Sequence, residues 1–99
     1  MKKGRDFSRS DYPAAELDLH ARTVEEAIPL VEEFLNDAYL RGWQRVRIVH
    51  GKGTGQLKRR VDRFLKEPQV RAVTRNIDHD SKNWGRLFVY FRWPDRGGV

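Results

Sequence analysis

Residues 46–57 read VRIVHGKGTGQL and place one histidine, one lysine, one threonine and three glycines between an apolar segment and a basic one. The segment before, RVRIVH at 45–50, reads as a strand, and the segment after, LKRRVDRFLKEP at 57–68, as a helix. A loop that leaves a strand and enters a helix presents unpaired backbone N–H groups and the positive end of the helix dipole, a setting that attracts an anion. A phosphate group fits this description. Gly51, Gly53 and Gly55 let the backbone wrap and approach closely, Lys52 adds a mobile positive charge, and Thr54 can cap the helix or donate to a phosphate oxygen. Gly53 at the centre is expected to need either a positive φ or empty space in front of it. The loop is not a Walker A loop, because Lys52 precedes the last two glycines instead of following them ahead of a Ser or Thr. Nucleotide hydrolysis is therefore disfavoured.

Charge along the chain points the same way. Residues 1–40 hold 5 basic and 9 acidic side chains, residues 41–75 hold 11 and 2, and residues 76–99 hold 4 and 3. The formal net charge of +6 is thus concentrated around the glycine loop, where it would gather a polyanion such as nucleic acid. On the helix after the loop, Lys58 follows directly, and Arg59, Arg63 and Lys66 recur at i, i+4 and i+7 to stack positive charge on the outer side. The chain of 99 residues fits one domain with one modest core. It has no cysteine, so disulfides and thiolate metal sites are out of reach, and nothing resembles a signal peptide or a membrane-spanning run. A cytoplasmic location and no membrane partner are the expectation.

These residues need elements to hold them. Residues 1–15, with Gly4 and Pro13 and no period, read as a flexible arm. AELDLH at 15–20 alternates as a first strand, with Leu17 and Leu19 on one face and Asp18 and His20 on the other. Thr23 and Glu26 form a capping box for a first helix that Gly42 stops, and Pro29 inside it predicts a kink or a later start. VRAVTR at 70–75 reads as a third strand and RLFVYFRW at 86–93 as a fourth, with the turn-rich NIDHDSKNWG, including His79, between them. The order β-α-β-α-β-β predicts an α/β sandwich, with two helices on one face of a four-stranded mixed sheet whose first pairings are parallel. The last strand is apolar on both sides, and Phe88 and Tyr90 on the face without helices suit a stacking platform for bases, a dimer interface, or a seat for the arm.

LDLH at 17–20, HGKGTG at 50–55 and the basic LKRRV after it together resemble the Smr domain, the small MutS-related domain found at the end of MutS2 proteins and in stand-alone proteins. The resemblance runs from Glu16 to about Trp93, which sets a domain at 16–94 and leaves 95–99 as a flexible tail. The family's first motif usually continues with glycine, whereas Ala21 follows His20 here. The resemblance implies a sheet with two helices like the C-terminal domain of translation initiation factor three. It also implies endonuclease activity on RNA or nicking of DNA, and some relatives cut messenger RNA at stalled ribosomes. By position, Asp18 and His20 would be catalytic and His50 to Gly55 would hold the phosphate backbone.

Parallel neighbouring strands would bring the ends bearing His20 and His50 together, so that one carboxylate and two imidazoles surround a phosphodiester, with Asp18, His20 and His50 as the catalytic residues and the two histidines as acid and base. Lys52 and the loop N–H groups would stabilise the charge that develops on phosphoryl oxygens. The expectation is a nuclease that prefers RNA, needs no cofactor, and has nucleic acid, with the ribosome as an alternative, for a partner. A magnesium-dependent route, a DNA-nicking enzyme and a binding module without catalysis are the competing readings.

Overall fold

The structure, a computed structural model, describes residues 13–83 and 85–92. Its elements are β1 (Glu16–Asp18), α1 (Val24–Arg41), β2 (Arg45–Val49), α2 (Gln56–Leu65), α3 (Pro68–Arg71), β3 (Thr74–His79) and β4 (Arg86–Phe91). The four strands form one sheet in the order β1-β2-β4-β3. β1 runs parallel to β2, while β4 is antiparallel to both β2 and β3. The expected α/β sandwich with a mixed sheet is the observed fold.

The core explains this arrangement. Val46 and Ile48 of β2, and Leu87, Val89 and Phe91 of β4, turn one sheet face into the buried layer. Ala27, Val31, Leu35 and Ala38 of α1, spaced along one stripe, meet that layer together with Val61, Phe64 and Leu65 of α2. The helices therefore cover one face only. β1 is short, but Ala14 N–H donates to the Arg45 carbonyl at 2.9 Å and Leu19 N–H to the Val49 carbonyl at 2.6 Å, so its pairing extends beyond the strand at both ends. The remainder of the expected arm and tail, with Trp93, lies outside the described residues.

α1 starts where its capping box predicts: the Thr23 hydroxyl accepts from Glu26 N–H at 3.1 Å and the Glu26 carboxylate accepts from Thr23 N–H at 3.0 Å. It continues through Pro29 without a later start, and Gly42 ends it at φ 80.

Two expectations fail downstream. The third strand is Thr74–His79, not 70–75, because Pro68 does not merely end a helix: it takes the first position of the short α3 behind the extended Glu67, and Val70 enters the core from that turn. As a consequence His79 ends β3 instead of lying in the hairpin, which shrinks to residues 80–85. Only one of the sheet's pairings is parallel, since β4 inserts between β2 and β3.

On the uncovered face Phe88 and Tyr90 stand as expected, but guanidinium groups already cover them. Arg45 lies 4.9 Å from the Phe88 ring centroid and Arg75 5.3 Å from that of Tyr90, while Arg47 is held between Phe88 and the Glu16 carboxylate.

Candidate nucleic-acid and active site

β1, β2 and β3 share a direction, so their C-terminal ends, bearing Asp18, Val49 and His79, lie along one edge of the sheet. The β1–α1 turn, the β2–α2 loop and the β3–β4 hairpin all meet at that edge. The first two enclose an open cleft of about 530 Å³, whose walls include His20, Arg22 and Glu25 on one side and His50 to Lys58 on the other. The position a Cβ would take on Gly51 is only 3.6 Å from His20 Cβ, so the two walls touch at their base.

Asp18 and His20 form a dyad at the rim. The Asp18 Oδ1 atom accepts both the His20 backbone N–H at 3.0 Å and the His20 ring Nδ1 at 2.8 Å. A carboxylate only accepts, so Nδ1 carries the proton of this bond and Nε2 is the ring nitrogen left for another partner. The side-chain bond to His20, then the backbone bond, hold the Asp18 carboxyl below its ordinary 3.8. His20 itself is 72% exposed. The turn that presents it is closed by Arg22 N–H donating to the Leu19 carbonyl at 3.0 Å, and it places Ala21 at φ 69. That region suits glycine, and an alanine there costs about 1 kcal/mol.

His50 is placed differently. Its ring is 3% exposed beneath the loop. Nδ1 donates to the Gly51 carbonyl at 2.9 Å, and Nε2 is buried without a polar partner. Burial is the main cause that pushes its pKa below 6.5, against the bond to Gly51 and the nearby Asp62 carboxylate. Asp62 in turn accepts from Lys58 at 3.2 Å and faces His79 Nε2 at 3.4 Å. The structure thus brings His20 onto the cleft with Asp18 bonded to it, and leaves the second imidazole almost wholly buried at the cleft's other wall.

The glycines divide the work of the loop. Gly51 at φ 82 and Gly55 at φ 89 hold left-handed backbone that other residues rarely adopt. Gly53 has no such φ, contrary to one of the two expectations, and the space where its Cβ would stand is open. Gly55, not Thr54, is the N-cap of α2, so no side chain caps the helix; the Thr54 hydroxyl, one residue earlier, accepts from Gln56 N–H at 3.3 Å.

Sequence reasoning missed the support from the hairpin. The Gly85 carbonyl accepts from both His50 N–H at 2.8 Å and Gly51 N–H at 2.9 Å. A Cβ on Gly85 would stand 3.3 Å from Gly51 C and 3.2 Å from Lys52 Cγ. The available signal was a glycine directly ahead of a strand, which pointed to a turn and not to a loop partner.

The positive face of α2 continues outward from the cleft, with Arg59, Arg63 and Lys66 exposed and Lys58 half-buried against Asp62. Arg59 folds back so that Nη1 is 3.0 Å from where a Gly55 Cβ would be. Residues 17–92 match the family described as Smr domain, a span that includes the dyad, the loop and every strand after β1 begins. The chain belongs to the Smr domain family.

Similar proteins carry this family in two settings. Over 71 residues the chain is 46% identical to "Endonuclease MutS2" of Geobacillus kaustophilus, a match that covers 72% of this chain and 8% of that protein. It is 45% identical over 64 residues to "Putative endonuclease MutS2" of Bacillus subtilis, with 65% and 8% covered. The chain thus spans about 8% of the curated relatives it matches. Among solved structures, the Smr domain of Thermus thermophilus MutS2 has a TM-score of 0.70 at 30% identity, covering 79% of this chain and 98% of that one. YdaL, a stand-alone small MutS-related protein from Escherichia coli, gives 0.73 at 26% identity, with 85% and 70% covered. No helix among the described residues is long and apolar enough to cross a membrane.

Proposed function

We propose that this Smr domain is an endonuclease acting on RNA, with His20 as the group that moves the proton and Asp18 as the group that orients it. The observation that carries the reading is the 2.8 Å bond between His20 Nδ1 and Asp18, which fixes one tautomer beside a loop suited to phosphate. A ribose 2′-hydroxyl gives its proton to His20 Nε2, and its oxygen forms a bond to phosphorus as the bond to the 5′-oxygen breaks. The leaving 5′-oxygen takes a proton from water, and the products are a 2′,3′-cyclic phosphate and a 5′-hydroxyl. The loop N–H groups and Lys52 stabilise the charge on the phosphoryl oxygens, and Gly53 leaves room for them to approach. His50 serves by holding the Gly51 carbonyl beneath the loop.

RNA ranks ahead of DNA because the nucleophile then comes with the substrate and needs only a base. Asp18 Oδ1 is engaged by both the backbone and the ring of His20, which suits it to orienting that base.

Cleavage of an RNA oligomer should survive a chelator, and a single 2′-deoxy substitution at the cut site should abolish it. His20→Ala should lower cleavage by about 10²- to 10⁴-fold while binding changes far less. Cutting at the 2′-deoxy site, or loss of cutting with chelator, would favour DNA nicking by activated water instead. Binding without any cutting would leave a nucleic-acid-binding module.

A further inference from the structure

Arg22 lies on the cleft wall opposite the glycine loop, two residues after His20. It was not among the expected binding residues, which all sit on the loop or on α2. Three cations line the cleft, Arg22, Lys52 and Lys58, and Lys58 is already engaged by Asp62 at 3.2 Å. Among the described residues no ion pair or side-chain hydrogen bond is made by Arg22 or Lys52, and Arg22 is exposed. Its backbone is nonetheless fixed, since its N–H closes the turn onto the Leu19 carbonyl at 3.0 Å and the next residue, Thr23, begins the capping box of α1. A guanidinium held at its root and free at its tip suits two-pronged recognition of phosphate oxygens.

We propose that Arg22 is a phosphate ligand of the cleft, clamping the non-bridging oxygens of the bound backbone from the wall that carries His20, across from Lys52 and the loop. With the second imidazole buried under the loop, Arg22 is the group that gives the His20 wall its positive charge. Glu25 on the same wall carries the opposite sign, so an anion without Arg22 would meet a wall that repels it. The inference deepens the nuclease reading and rests on it for the identity of the backbone as RNA.

The test compares Arg22→Gln, Arg22→Lys and, as a control for one lost surface charge, Arg71→Gln on the exposed side of α3. Binding of a single-stranded RNA oligomer is measured as a function of salt, alongside cleavage. Arg22→Gln should weaken kcat/KM by about 10- to 100-fold, the loss expected for a charge-assisted bond to phosphate, and reduce the salt slope of binding by about one. Arg22→Lys should recover the slope but only part of the rate, while Arg71→Gln should match the unaltered chain in both.

Arg22→Gln with an unaltered slope and unaltered cleavage would overturn the proposal and leave the nuclease reading standing. A chain that binds RNA without cutting it would remove the nuclease reading alone, and the slope would still judge Arg22. A chain that binds neither RNA nor DNA would overturn both.

Discussion

At the scale of single residues, the two histidines of the site separate by burial. His20 is open and bonded to a carboxylate, whereas His50 is sealed beneath the loop with Nε2 unsatisfied. Such a ring is stable only while neutral, because a buried imidazolium would lack a partner at Nε2. With its folded pKa below 6.5, the unfolded chain takes up a proton at His50 before the folded one does. Its contribution to stability is therefore complete above pH 6.5 and is lost as pH falls through the folded value. His50→Asn, which keeps an N–H to offer the Gly51 carbonyl, should flatten the loss of stability below that pH while retaining most of the cleavage. Urea unfolding across this range checks it, and parallel curves for the two proteins would show that His50 does not titrate there.

At the scale of elements, the phosphate loop depends on a hairpin far from it in sequence. Gly85 receives two N–H bonds from the start of the loop, and its missing Cβ is the space in which Gly51 and Lys52 sit. Gly85→Ala would bring a carbon to 3.3 Å from backbone atom Gly51 C, so the loop must move by a few tenths of an ångström. The fold, whose core layer is built from β2 and β4 side chains, should survive. Cleavage should fall by about tenfold or more, in keeping with the sensitivity of catalysis to small misplacements. Circular dichroism with a cleavage assay on the same sample tests this, and unaltered cleavage would show that the hairpin does not set the loop.

At the scale of the whole molecule, the charge asymmetry becomes a surface. The α2 face with Arg59, Arg63 and Lys66 leads away from the cleft, and Arg59 folds toward the foot of the loop. Such a track would contact phosphates without reading bases. Neutralising all three should lower the salt slope of nucleic-acid binding by about three and weaken different sequences alike. A slope unchanged from the unaltered chain would remove this face from the interface. The arginine-covered aromatic face of the sheet is a separate surface, on which guanidinium groups already occupy the rings expected to receive bases.

Much of this was legible in the residues alone, wherever a local rule has one solution. Thr23 and Glu26 could only cap a helix, Gly42 could only end it, and a glycine loop between an apolar run and a basic amphipathic run could only join a strand to a helix. Position 70–75 misled because Val70 and Val73 suit either a strand or a helical turn, and the choice fell to Pro68, whose fixed φ starts α3 as well as it stops α2. The true β3 was hidden for the opposite reason: as an edge strand it buries only Thr74 fully and half-buries Ile77, so it shows little alternation. Asp18 and His20 were marked by the family resemblance, not by any local signal. What tertiary structure alone decided was access. The insertion of β4 between β2 and β3 brought Gly85 under the loop, and packing of α2 over the sheet buried one histidine and left the other at the rim, because burial is set by neighbours distant in sequence.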